Sequence, residues 1–185
     1  MNLQEYWGNN RKHNNTANKL TFVLFIVYLM ALIWILLFKL DVQFSYTESR
    51  RVNLIPFSEP LILNGKADFG EMLLNVVIFL PLGIYAGILF KRWIFGKKLF
   101  FFFLITFMLE GIQFLLRVGA FDITDITTNT LGGVIGSMIY KVIEKVFKSS
   151  VQAQKFMNII AAIGTVLMIS LLLLLKMDML PVKYK

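Results

Sequence analysis

The chain has 185 residues, of which 57% are hydrophobic and 16% charged, whereas soluble domains average about 45–50% apolar and roughly 25% charged residues. This composition excludes an ordinary soluble enzyme and indicates an integral membrane protein, and the absence of cysteine excludes disulfides, thiolate catalysis and cysteine-bound metals. Membrane topology accounts for the net charge of +8, so we expect no nucleic-acid partner.

Five stretches have the length of a membrane-crossing helix, which needs about 20 mostly apolar residues. They are residues 20–38, 72–90, 99–116, 126–143 and 156–175. The fourth stretch is the least apolar because it is rich in Thr and Gly. The sequence therefore predicts an all-α, polytopic membrane helix bundle of about five transmembrane helices. We expect an N-terminal tail (1–19), a membrane domain (20–145), and a C-terminal part (146–185) with a linker, the fifth span and a short tail.

The placement of Lys and Arg predicts that the N-terminus is cytoplasmic. The inner segments are then residues 1–19, 91–98 and 144–155, together with Lys141. These segments carry a net charge of +9, whereas the outer segments sum to zero. Cytoplasmic loops carry an excess of basic residues, so this orientation is favoured. Three lysines near the C-terminus fall outside in this arrangement and count against it.

Polar side chains interrupt the three middle spans, and all of them fall towards the outer side of the membrane in this orientation. They are Asn75 in the second span, Glu110 and Gln113 in the third, Arg117 at its outer exit, Asp122 and Asp125 in the following turn, and Asn129 in the fourth. Glu110, Gln113 and Arg117 share one helix face through their i, i+3, i+7 spacing. Because such groups are costly in a bilayer, the cluster predicts a functional site. A purely structural Glu110–Arg117 pair is the alternative.

The outer loop and the glycines add two further predictions. Loop 39–71 contains Arg51 and Asn53 and then an apolar run around Pro56 that is too short to cross the membrane. We expect this run to lie at the interface or to re-enter over the polar cluster, unless it is an ordinary loop. The pairs Gly83/Gly87 and Gly132/Gly136 predict close helix contacts. We expect the polar face of the third span to pack against the glycine face of the fourth.

These motifs resemble the VanZ-like membrane proteins over roughly residues 20–145. The run Asn53-Leu-Ile-Pro-Phe57 is similar to that family's outer-loop motif, and Asn75-Val-Val-Ile-Phe-Leu-Pro-Leu-Gly83 to its second-span motif. The third motif runs from Glu110 to Gly132. The resemblance implies a multi-pass protein of the bacterial plasma membrane. It also implies low-level resistance to the glycopeptide teicoplanin without the enzymes that remodel peptidoglycan precursors.

Three functions remain open. The first is action at the extracytoplasmic face on membrane lipid, a lipid-linked cell-wall precursor or a glycopeptide antibiotic. The candidate binding residues for this function are Arg51, Asn53, Asn75, Glu110, Gln113, Arg117, Asp122, Asp125 and Asn129. We expect no cofactor, and we favour binding over catalysis.

The second function is an enzyme acting on a lipid-linked phosphate head group, with Glu110 as the candidate general acid or base. No metal site is assigned, and Asp122 and Asp125 are the candidates for holding a hard cation. The single histidine, His13, lies in the N-terminal tail, which excludes histidine-based catalysis at the outer site. The third function is a small transporter subunit, which would require oligomers because five spans are few for a transport pathway.

Overall fold

The computed structural model describes residues 3–38, 52–57, 61–63 and 66–176, and the candidate residue Arg51 lies outside these ranges. The described residues form five α-helices and four short β-strands. The helices are α1 (Leu3–Phe38), α2 (Gly70–Leu89), α3 (Phe95–Leu116), α4 (Ile123–Phe147) and α5 (Ser150–Lys176). The strands are β1 (Val52–Asn53), β2 (Leu61–Leu63), β3 (Lys66–Asp68) and β4 (Phe121–Asp122). The prediction of an all-α helix bundle is therefore confirmed.

Four of these helices contain a stretch that is long and apolar enough to cross a membrane. The stretches are Thr16–Leu36 in α1, all of α2 and α3, and Ser150–Ser170 in α5. Helix α4 has 25 residues but contains no stretch of this kind, so the predicted fourth span, residues 126–143, is a helix that is not confirmed as membrane-crossing. It packs against α2, α3 and α5, so its buried polar residues, such as Asn129 and Ser137, face protein instead of lipid.

Glycines bring α2 and α4 into close backbone contact. A Cβ atom on Gly136 would lie 2.9 Å from the carbonyl carbon of Leu80, and one on Gly132 would lie 3.0 Å from the Cα of Val76. The glycine face of α4 therefore packs against α2, and the expectation that it meets the polar face of α3 is wrong. On the α3 side, Gly133 instead meets the ring of Phe102. Backbone proximity of this kind is what small residues provide in membrane bundles.

Pro81 lies inside α2 and removes one backbone N–H donor from the helix. The carbonyl oxygen of Val77, four residues earlier, therefore lacks its helical donor. A neighbouring helix donates to the next carbonyl along the chain. Tyr28 of α1 donates a hydrogen bond from its hydroxyl to the carbonyl oxygen of Ile78, at 2.9 Å. This hydrogen bond helps to fix the position of α1 on α2.

A buried network of polar side chains joins α1 to α5. Thr21 donates to Asn158 Oδ1 at 2.9 Å, and Gln154 donates to Thr21 at 2.8 Å and to Asn18 at 2.9 Å. Asn158 in turn donates to the carbonyl oxygen of Ala17 at 3.2 Å. Because Thr21, Gln154 and Asn158 are all buried, the network specifies how α1 docks onto α5.

Candidate binding site

The site lies at the end of the bundle where α3 ends and α4 begins. Asp122 is the N-cap of α4, and its Oδ1 accepts a hydrogen bond of 2.6 Å from the backbone N–H of Thr124. Helix α4 therefore starts at Ile123, three residues before the predicted span, and Asp125 belongs to its first turn instead of the preceding loop. The first backbone N–H groups of a helix have no acceptor within the helix, and a side-chain oxygen at the N-cap accepts from one of them.

The segment 52–57 is held directly above this helix start. Its strand β1 pairs in parallel with β4, so that Asn53 is aligned with Asp122. Asn53 donates from Nδ2 to Asp122 Oδ2 at 3.1 Å, while its own Oδ1 accepts from the N–H of Ile55 at 3.2 Å. The N–H of Phe57 donates to the hydroxyl of Thr124 at 3.1 Å. The segment 52–57 therefore lies against Asp122 and Thr124 at the start of α4, next to the polar residues over which it was predicted to fold.

Two further hydrogen bonds connect the polar residues of α2, α3 and α4. Glu110, only 2% exposed, accepts from the backbone N–H of Asp122 at 3.4 Å. Asn75 donates from Nδ2 to Asp125 Oδ1 at 2.8 Å. Because Asp122 and Asp125 lie within one turn of α4, the structure gathers Asn53, Asn75 and Glu110 around a single helix start. We call this set the polar cluster, and it comprises Asn53, Asn75, Glu110, Asp122 and Asp125.

Gln113 and Asn129 lie one helical turn from the polar cluster, on α3 and α4. Gln113 donates from Nε2 to the carbonyl oxygen of Leu36 on α1 at 3.0 Å. Its Oε1 and the Oδ1 of Asn129 are buried and have no hydrogen-bond partner among the residues that the structure describes. Asn129 is 1% exposed. An unpaired buried acceptor typically costs about 1–3 kcal/mol, so both oxygens are suited to accept a bond from a donor brought by a ligand.

Arg117 occupies a different position from the one that the i, i+3, i+7 spacing indicated. Helix α3 ends at Leu116, and Arg117 takes a left-handed conformation with φ of 59°. Its side chain is exposed, whereas Glu110 and Gln113 are buried. The residue therefore turns the chain towards β4 and lies at the edge of the site. The described residues contain no group of three or more His, Asp or Glu side chains that could hold a metal ion.

The segment 54–57 presents apolar side chains outwards. Leu54, Ile55 and Phe57 are 65%, 68% and 53% exposed, and Pro56 lies between them. Phe57 also has a left-handed φ of 59°, which is rare and unfavourable for a bulky residue. The hydrogen bonds that the N–H of Ile55 donates to Asn53 and the N–H of Phe57 donates to Thr124 hold this shape. We call residues 54–57 the apolar turn, and it places an exposed apolar surface beside the polar cluster.

Sequence reasoning missed Thr124, which both anchors the apolar turn and receives the cap from Asp122. Part of the signal was present, because an aspartate just before a helical stretch is a typical N-cap and accepts from a backbone N–H two or three residues later. It also missed the carbonyl oxygen of Leu36, which no side-chain pattern reveals. The other candidates all fall at or beside one end of the bundle, except Arg51, which lies outside the described residues.

The fold and site define a polytopic membrane protein with a buried polar cluster at one end of a helix bundle. Comparison with known proteins identifies the family: residues 25–148 match the VanZ/LLP1 family. The chain is 36% identical over 153 residues to Protein VanZ of Enterococcus faecium, an alignment that covers 80% of this chain and 88% of that protein. No solved structure matches. The chain belongs to the VanZ/LLP1 family.

Proposed function

We propose that this chain lowers the susceptibility of a bacterial cell to teicoplanin-type glycopeptides by binding an amphipathic envelope molecule at the polar cluster. The molecule is either the acylated glycopeptide itself or a lipid-linked cell-wall precursor. Both carry a head of sugars and peptide amides on an apolar chain. The family membership and the likeness to Protein VanZ support a role in antibiotic resistance.

The balance of hydrogen-bond donors and acceptors supports a donor-rich head group. The amide donors of Asn53 and Asn75 are already used by Asp122 and Asp125, and that of Gln113 by Leu36. Among the described residues, the buried side-chain atoms without a partner are two acceptors next to the polar cluster, Gln113 Oε1 and Asn129 Oδ1, and the hydroxyls of Thr130 and Tyr140, which can donate or accept. Sugar hydroxyls and peptide N–H groups match such a surface.

The same balance disfavours a phosphate as the directly bound group, because carboxylates and amide oxygens repel its oxygens. The exposed Arg117 lies at the edge and belongs to the rim of the site. Phosphate chemistry at Glu110 and flux through an oligomer stay predictions that no contact in the site favours. An amphipathic ligand also suits the apolar turn, whose exposed Leu54 and Ile55 offer a surface for its chain beside the polar cluster.

The single observation that carries the proposal is the meeting of α2, α3, α4 and the loop segment in one hydrogen-bonded cluster. Its orientation towards the cell exterior follows from the predicted topology. The test is expression in a glycopeptide-susceptible Gram-positive host, with growth measured in teicoplanin and in vancomycin. We expect the inhibitory concentration of teicoplanin to rise several-fold with the wild-type chain.

The diagnostic variant is Glu110→Gln, which keeps the shape and an acceptor for the Asp122 N–H but removes the charge. We expect resistance to fall to the level of the empty vector while the abundance of the protein in the membrane is unchanged. Glu71→Gln is the matched control, because Glu71 is an exposed acid in the first turn of α2, outside the cluster. Full resistance with Glu110→Gln would contradict the proposal. Binding assays with labelled teicoplanin and labelled lipid-linked precursor then distinguish the two ligands.

A further inference from the structure

The opposite end of the bundle is strongly basic. Its described basic residues are Lys19, Lys91, Arg92, Lys97, Lys98, Lys141, Lys145, Lys148 and Lys155, against the single acid Glu144. An excess of this kind follows from membrane topology alone, so the charge by itself defines no site. What distinguishes part of this end is a groove that three of the cations line.

The groove has a volume of about 920 Å³ and lies between α1 and the turn that joins α2 to α3. Lys19 and Asn18 line it from α1, and Arg92 lines it from the turn. Its walls are apolar and include Phe22 and Leu89. The groove thus combines a basic mouth with walls that suit hydrocarbon.

Trp93 locates the groove relative to the bilayer. Its indole ring also lines the groove, and it stacks on Phe90 with 4.3 Å between ring centroids and meets the edge of Phe101 at 5.8 Å. Tryptophan held in this way at the end of a membrane-crossing helix is typical of the depth of the lipid head groups. The cations of the groove therefore lie at the level of lipid phosphates.

Lys91 also lines the groove, but α4 and α5 already engage its ammonium group. Its Nζ lies 4.0 Å from Glu144 Oε1, donates a hydrogen bond to the hydroxyl of Ser150 and lies 6.0 Å above the ring of Tyr140. Among the cations of the groove, Lys19 and Arg92 are therefore better placed to meet a ligand. A guanidinium group is well suited to phosphate because it offers two parallel N–H donors.

We propose that this groove binds the head group of an anionic phospholipid. Lys19 and Arg92 hold the phosphate, the amide of Asn18 adds a donor, and the start of the acyl chain follows Phe22. Basic pockets between membrane helices bind anionic head groups in this way. The site is separate from the polar cluster and independent of the function proposed there.

The test uses the full chain in detergent with phosphatidylglycerol, phosphatidylcholine or free glycerol phosphate, and native mass spectrometry to count retained molecules. We expect one retained phosphatidylglycerol, little phosphatidylcholine and no glycerol phosphate. The double variant Lys19→Gln/Arg92→Gln should weaken phosphatidylglycerol binding by roughly fivefold for each cation removed. Lys145→Gln/Lys148→Gln is the matched control, because it removes the same charge from the same end without touching the groove.

Equal losses in the two double variants would show that general charge attraction, and no specific groove, retains the lipid. Equal retention of glycerol phosphate would make the ligand a free phosphate. A second measurement keeps the proposal testable if the double variant does not fold. In the wild-type chain, phosphatidylglycerol with brominated acyl chains should quench tryptophan fluorescence more than brominated phosphatidylcholine, because Trp93 lines the groove. Equal quenching by the two lipids overturns the proposal.

Discussion

Adding one methyl group to Gly83 should destabilise the bundle more than any other single-carbon change on α2. A Cβ atom there would lie 2.6 Å from the backbone nitrogen of Ser137 and 2.8 Å from the carbonyl carbon of Gly133, and it would also contact the Gly133 carbonyl oxygen. Ordinary contact begins at 3.4 Å, so the shorter of these two distances falls short by about 0.8 Å. Both atoms belong to backbone and cannot rotate away, so α2 and α4 must separate.

Overpacking of this kind typically costs about 1–3 kcal/mol. On the scale of soluble chains of this size, such a loss lowers the melting temperature by about 2–12 °C. The assay is thermal unfolding of purified Gly83→Ala in detergent, followed by tryptophan fluorescence and far-ultraviolet circular dichroism. We expect both probes to report the same lowered midpoint.

Gly111→Ala is the matched control, because Gly111 is also helical but a Cβ there would meet no described heavy atom within 4 Å. Alanine is the better helix former by about 0.5–1 kcal/mol, so this variant should melt at the wild-type temperature or above. If Gly83→Ala and Gly111→Ala melt together, the close contact between α2 and α4 does not exist.

Three further changes probe other contacts. Asp122→Ala should lower the free energy of unfolding by about 0.5–2 kcal/mol through loss of the α4 cap, which thermal unfolding measures. Asp122→Ser should restore the cap but not the bond from Asn53, so protease should cleave the segment 52–57 faster than in the wild-type chain. Tyr28→Phe should cost about 0.6 kcal/mol because it removes the hydrogen bond to the carbonyl oxygen of Ile78, and thermal unfolding measures the loss. An unchanged midpoint would contradict a role for this bond in docking α1 onto α2. Asn158→Leu should lower the melting temperature by removing the links to α1, at a cost of about 1–3 kcal/mol for the partners left unpaired, and an unchanged midpoint would refute the role of the network.

The helices were predictable because the signal for each one lies in its own stretch of sequence. An apolar stretch of about 20 residues needs no knowledge of the fold, and the cap at Asp122 explains why α4 starts earlier than apolarity alone indicates. Local spacing failed at Arg117 for the opposite reason. The i, i+7 rule assumes that the helix continues, but α3 ends one residue earlier and the chain turns in a left-handed conformation.

Which elements pack against each other could not be predicted from the sequence. The glycine pairs correctly indicated close backbone approach, but their spacing does not determine which helix approaches. The glycines of α4 were predicted to pack against α3, whereas Gly132 and Gly136 pack against α2. The pairing of β1 with β4 joins residues 69 positions apart, and it depends on where the helices have already brought the chain. The α1–α5 network was partly readable, since Gln154 and Asn158 share a helix face at i, i+4.

The contact at Gly83 and the polar cluster are mechanically linked, because Asn75 and Gly83 lie on the same helix. The Gly133 carbonyl oxygen would lie even closer to the new Cβ than the Ser137 nitrogen does, so Gly83→Ala requires a separation of at least about 0.8 Å. If α2 moves by that distance as a rigid body, directly away from Asp125, the 2.8 Å bond from Asn75 to Asp125 lengthens to about 3.6 Å. At that distance it is no longer a hydrogen bond. Gly83→Ala should therefore reduce glycopeptide resistance even at growth temperatures where the protein remains folded, whereas Gly111→Ala should not. Full resistance in folded Gly83→Ala protein would mean that the Asn75–Asp125 bond is not needed for function.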